Sequence, residues 1–148
     1  MSQRVIAASD HAGLSLRREV IEAARAAGFE VEDLGPFTAD RVDYPDFARL
    51  VSEAVSAGRA RFGLLVCGTG IGMSISANKI PGIRAALCHT EYEARMARAH
   101  NDANVLCLGE RVTGPGLGAG ITRVFLAESF EGGRHAARVA KVDALDRR

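Results

Sequence analysis

An apolar run stops on a cysteine and turns into a glycine loop: residues 63–79 read GLLVCGTGIGMSISANK. Cys67 stands at the rim of that loop. Gly68, Gly70 and Gly72 let the backbone curl and approach a ligand closely. A helix follows, and its free N–H groups favour an anion or a developing oxyanion. The same dipoles favour a thiolate on Cys67, which serves as nucleophile or as proton-abstracting base. Free thiols are more often buried structural groups, and that is the reading for Cys88 and Cys107, which lie within or at the end of apolar strands. The GxGxG spacing lacks the third glycine of a dinucleotide fingerprint, and the GxxxxGK[ST] phosphate loop is absent. Strand 4 ends in Cys88-His89 rather than on a ribose-binding acid, so no nicotinamide cofactor is expected.

Other residues offer chemistry at lower specificity. His100 and Asn101 follow a helix and precede a strand. Arg134 and Arg138 share a helix face at i,i+4, with His135 beside them and Arg111 after strand 5. Two arginines so spaced fork onto one phosphate, although a solvated basic face gives the same pattern. Asp43 precedes Tyr44-Pro45, where it caps a helix or leaves Tyr44 to close over a small ligand. The spacing does not decide between these. Histidines 11, 89, 100 and 135 are scattered, with no HxH or carboxylate cluster at metal-ligand spacing, so no metal is expected.

The elements that must position these groups alternate along the chain. Strands are expected at Arg4–Ser9, Phe29–Leu34, Phe62–Cys67, Ile83–Cys88 and Asn104–Leu108. Helices are expected at Gly13–Ala27, Pro45–Ala57, Ser74–Lys79, Glu91–Ala99 (with a Thr90/Glu93 capping box), Pro115–Glu128 and Arg134–Leu145. Such alternation predicts an α/β doubly wound, three-layer sandwich around a five-stranded parallel sheet, flavodoxin- or Rossmann-like, in the order 2-1-3-4-5. A ligand crevice then opens where strands 1 and 3 end. Topology thereby brings Asp10, His11 and Cys67 to one site. His100 falls at the opposite edge of the sheet. Either it is structural, or it serves the crevice of a neighbouring subunit.

Overall composition narrows the function classes. A chain of 148 residues suits a single domain spanning 1–148. A net charge of +1 gives no field for nucleic acid or membrane. No apolar run approaches the roughly 20 residues of a bilayer span. MSQRVIAASD lacks the apolar stretch and cleavage site of a secretory signal. Three unpatterned cysteines suit reduced thiols, so a cytoplasmic location is expected.

Read together, SDHAG, DYPDFA, CGTGIGMSISANK, GIRAALC, HNDANVLCLGERV and FEGGRHAARV occur in order along essentially the whole chain. They resemble type B ribose-5-phosphate isomerase, of the family that includes allose-6-phosphate and galactose-6-phosphate isomerases. The resemblance implies an aldose–ketose isomerase of carbohydrate metabolism, in the pentose phosphate pathway, without cofactor. It implies Cys67 as the base that moves a proton between C1 and C2. Thr69 and the backbone of Gly68, Gly70, Ile71 and Gly72 match the loop holding the enediolate oxygens. His100 matches the ring-opening residue and Asn101 its neighbour. Asp10 matches a group bonding the sugar hydroxyls, Tyr44 a pocket wall, and His11, Arg111, Arg134 and Arg138 the phosphate grip. One family branch uses a glutamate further along the loop, where this chain has Met73, so Cys67 is the loop's candidate base. The family forms homodimers or tetramers with sites shared between subunits. Alternatives are another sugar phosphate, such as allose 6-phosphate or a four-carbon substrate, or a nucleotide-binding module without catalysis.

Overall fold

The computed structural model describes residues 3–146. Strands β1 (Arg4–Ser9), β2 (Glu30–Asp33), β3 (Phe62–Cys67), β4 (Ala85–Leu87) and β5 (Val105–Gly109) alternate with helices α1 (Leu14–Ala26), α2 (Tyr44–Ser56), α3 (Ile71–Ala77), α4 (Glu91–Asn101), α5 (Pro115–Ala127) and α6 (Arg134–Ala144). Every strand pair is parallel. Strand β3 is buried at each position, as a strand covered on both faces must be. Alternate residues serve opposite layers. Val5 and Ala7 pack with residues of α1, α4 and α5, whereas Ile6 and Ala8 pack with α2 and α3. The result is the expected three-layer α/β fold.

One expectation fails. The sheet order is β2-β1-β3-β5-β4, not 2-1-3-4-5. Only Ala85–Leu87 of the expected strand Ile83–Cys88 pairs, and those residues are only partly buried. The β5 sequence VLCLG is buried throughout. An interior position goes to the strand that can be covered on both faces, and that strand is β5. The exchange has a consequence for function: β3 pairs directly with β5, setting Cys67 beside Gly109. Arg111, two residues on, therefore reaches the glycine loop, which an intervening β4 would have blocked.

Helix boundaries follow local signals. In α4 the Thr90 hydroxyl accepts from Glu93 N–H at 3.1 Å, and the Glu93 carboxylate accepts from His89 N–H at 2.8 Å. The helix ends at Asp102, which adopts φ 47°. Helix α3 begins at Ile71, earlier than the expected Ser74, because Gly70 turns the chain at φ 78°.

The end of α4 is tied down by two arginines. Buried Arg98 donates from Nη1 to Asp102 Oδ1 at 2.8 Å and to the Ala103 carbonyl at 2.6 Å, with its guanidinium 4.8 Å from the Phe62 ring centroid. Arg84 donates from Nε to the carbonyls of Asn101 and Asp102 at 3.1 Å, and from Nη1 to Asp143 of α6 at 2.8 Å. These contacts fix His100 and Asn101 relative to α6. His135 is the buried residue of α6, whose apolar Val139 and Val142, like Leu145 just beyond it, join neither core. Among the described residues, no helix is long and apolar enough to cross a membrane.

Candidate active site

The carboxyl ends of β1, β3 and β5 meet at one edge of the sheet. Asp10 leaves β1 with its N–H on the Val66 carbonyl at 3.1 Å. Its Oδ1 accepts from Ala12 N–H at 2.9 Å, which tightens the turn into α1. Val42 N–H donates to His11 Nδ1 at 3.2 Å. The proton of the neutral imidazole then sits on Nε2, leaving that atom to donate.

Cys67 follows from β3. Its Sγ accepts from Gly70 N–H at 3.1 Å, so the loop folds back over the sulfur. That return requires glycine. At Gly70 a side chain would meet the Leu108 carbonyl carbon at 2.9 Å, and at Gly109 it would collide with the backbone of Thr69. Loop and β5 are further joined by Glu110 N–H to the Cys67 carbonyl at 2.9 Å and Arg111 N–H to the Gly68 carbonyl at 3.0 Å. The Arg111 guanidinium covers Gly68, where a Cβ would lie 3.1 Å from Nη1. Tyr44, at the start of α2, sets its ring against Gly72. Thr69 is exposed, and its hydroxyl accepts from Ile71 N–H at 3.2 Å.

The fold thus brings together Asp10, His11, Tyr44, Cys67, Gly68, Thr69, Gly70, Ile71, Gly72 and Arg111. Cys67 retains 4% exposure and Asp10 6%, so both sit at the floor of this edge. Cys88 and Cys107 are the chain's other thiols, and both are buried. Burial, reinforced by Glu93, pushes Cys88 up to about 12, and burial pushes Cys107 well above the ordinary thiol range. Both remain protonated at neutral pH.

His100, Asn101, Arg134 and Arg138 are not in this cluster. His100 and Asn101 close α4, which enters β5 from the opposite, amino edge. With Arg138, they line a cavity of about 540 Å³ bounded by Arg84, Val139 and Val142. Arg134 is exposed one helical turn before Arg138. The sheet separates the two groups within one chain.

Glu110 and Glu131 were missed from sequence, and His135 was noted only as a neighbour of the two arginines. Glu110 Oε1 accepts from Leu16 N–H at 2.7 Å, bridging the start of α1 to the residue before Arg111. Glu131 and His135, at i,i+4, join His100. The two imidazoles stack at 4.1 Å with an interplanar angle of 13°. Burial, followed by the charges of His100 and Arg134, draws His135 below the ordinary histidine range, with Glu131 opposing. The i,i+4 spacing was visible in the sequence, but the partner from α4 was not.

Residues 5–142 match the family described as Ribose/Galactose Isomerase. The chain belongs to that family. Its enzyme class is accordingly that of an aldose–ketose isomerase, as the motifs implied. Ribose-5-phosphate isomerase B of Escherichia coli (strain K12) is 44% identical over 139 residues, covering 94% of this chain and 93% of that protein. The solved ribose-5-phosphate isomerase B of Clostridium thermocellum superposes with a TM-score of 0.94 at 49% identity, covering 97% of each chain. A Mycoplasma genitalium ribose-5-phosphate isomerase B solved with bound ribulose-5-phosphate gives 0.92 at 42% identity, covering 97% of this chain and 95% of that one.

Proposed function

We propose that the protein interconverts ribose 5-phosphate and ribulose 5-phosphate through an enediolate, in sites built from two copies of the chain. The observation that carries this reading is Cys67 Sγ, held by Gly70 N–H among Asp10, His11 and Arg111 at the β1/β3 switch point. Support also comes from relatives named ribose-5-phosphate isomerase B, which this chain matches over nearly its whole length.

A furanose ring must first open. His100 of a second copy takes the proton of the anomeric hydroxyl and returns one to the ring oxygen, which breaks the C1–O4 bond and frees the aldehyde. Asn101 accompanies it. The Cys67 thiolate then removes the C2 proton. The electron pair flows towards the carbonyl oxygen, forming the enediolate. The loop backbone from Gly68 to Gly72 curls round O1 and O2, and its unused N–H groups, with the Thr69 hydroxyl, hold them as charge develops. A proton passes from the O2 hydroxyl to O1 within the held enediolate, and delivery of the sulfur's proton to C1 then completes the ketose and restores the thiolate. No electrons leave the substrate, so no redox partner is needed.

Asp10 accepts from sugar hydroxyls, and Tyr44 closes one wall. His11 Nε2–H and Arg111 grip the phosphate from the chain that supplies Cys67. Arg134 and Arg138 arrive with His100 from the other copy. Phosphate binding remote from the reacting carbons holds C1 and C2 against sulfur. A monomer lacks half of this machinery.

The test is an isomerase assay with four-, five- and six-carbon aldose phosphates in the presence of EDTA. Turnover of ribose 5-phosphate to ribulose 5-phosphate with the highest kcat/KM of the series is the expected result. A higher kcat/KM for a six-carbon phosphate would overturn the substrate assignment, and loss of turnover in EDTA would overturn the metal-free mechanism.

A further inference from the structure

Around His100 the fold assembles a constellation that the sequence leaves scattered. His100 comes from the end of α4, Glu131 from the segment before α6, and His135 from the first turn of α6. One ligand atom from each lies within 4.8 Å of the others. The Nε2 atoms of His100 and His135 both face Glu131 Oε2, at 3.8 and 3.6 Å. Those separations exceed hydrogen-bond length, so the carboxylate accepts from neither ring. Two donors on one tetrahedral Zn²⁺, each at its usual bond length, stand about 3.3 Å apart. The two carboxylate-to-imidazole separations are within a few tenths of an ångström of that value, and a turn of the partly exposed His100 ring out of its stack on His135 brings the third pair together.

A second observation points the same way. His135 is 5% exposed, and its Nε2 has no hydrogen-bond partner. A buried polar atom without a partner is costly, and a ligand satisfies it. This atom is aimed at the other two donors, beside the cavity that His100 and His135 both line. Two imidazoles and one carboxylate, with the cavity leaving room for a fourth ligand, are the donor set of an open zinc-type site rather than of a calcium or magnesium site.

We propose that His100, Glu131 and His135 bind a divalent transition metal ion of the zinc class, and that the bound ion inhibits the isomerase by occupying His100. The binding half stands on the geometry alone. The inhibition half rests on the ring-opening role proposed above for His100. Arg134 and Arg138 lie close enough to act on His135 and oppose a cation. Binding is therefore reversible and weaker than at a closed four-ligand site.

The experiment uses the assembled protein, stripped with EDTA and titrated with Co²⁺ and Zn²⁺. Expected are one Co²⁺ per chain with the visible absorption of a tetrahedral ion, displacement of Co²⁺ by Zn²⁺, and at least tenfold weaker binding in both Glu131→Gln and His135→Ala. Cys67→Ala is expected to keep stoichiometric binding, because His100, Glu131 and His135 of one chain supply the three protein donors. No stoichiometric binding, or binding lost in Cys67→Ala and kept in His135→Ala, overturns the site. In parallel, Zn²⁺ is expected to inhibit turnover of ribose 5-phosphate, EDTA to reverse it, and Glu131→Gln to need at least tenfold more ion. Normal binding without inhibition would overturn the second half and count against His100 as a ring-opening group, while leaving the metal site standing.

Discussion

Replacing Cys67 by alanine lowers kcat for ribose 5-phosphate on the order of 10³-fold, the scale of a lost general base, with KM nearly unchanged. The kinetic split follows from position. In the proposed mechanism the sulfur faces the reacting carbons, whereas the phosphate and hydroxyl contacts belong to other side chains. No neighbour substitutes for it: Met73 is wholly buried and cannot take a proton, and Asp10 already spends one oxygen on Ala12 N–H. Cys67 packs among Ala8, Met73 and Cys107 in the α2/α3-facing core, so removing it leaves a small cavity. Cys67→Ser guards against that effect. Its hydroxyl retains the shape and an acceptor for Gly70 N–H but does not ionise at neutral pH, so the same loss is expected. Cys88→Ala, which removes a thiol held protonated up to about 12, keeps kcat. The measurement is steady-state kinetics on variants with native circular dichroism. A Cys67→Ser enzyme within tenfold of the parent would remove the base assignment.

His100→Ala is expected to show a substrate-dependent loss. With ribose 5-phosphate, which is mostly furanose in solution, kcat/KM falls on the order of 10²-fold, as for a lost acid–base group. A four-carbon aldose 4-phosphate has its C4 oxygen blocked by phosphate, so it has no furanose ring to open. For that substrate the same variant keeps kcat/KM close to the parent value. The comparison separates ring opening from general damage. Arg98 and Arg84 hold the α4 terminus through backbone and carboxylate contacts that do not involve the imidazole, so the scaffold survives the change. Equal losses on both substrates would assign His100 to binding or to support, and not to the ring.

The layers of the fold were legible because each element carries its own period. Helix α1 buries Leu16, Val20, Ile21 and Ala24 on one face, and β3 is one continuous apolar run. Strand order beyond β3 was not legible. Ile83–Cys88 and Asn104–Leu108 are both short and apolar, and only tertiary cover decides which is interior. That ambiguity hid the reach of Arg111 to Gly68. At the carboxyl edge, Asp10, His11 and Cys67 were found from topology because strand ends are fixed by the fold. The cluster on α6 was not found. His100 and His135 are far apart in the chain and meet through the Arg84 tie to Asp143, a contact with no sequence signature.

A shared site makes a demand that no single-chain site makes. Mix Cys67→Ala with His100→Ala under conditions of demonstrated subunit exchange, and assay ribose 5-phosphate. Each heterodimer then holds one site with both groups intact and one with neither. At equal amounts half of the dimers are mixed, so about a quarter of the parent activity per site should return. Activity that stays at the level of the separate variants, with heterodimers present, would mean that Cys67 and His100 do not meet across two chains.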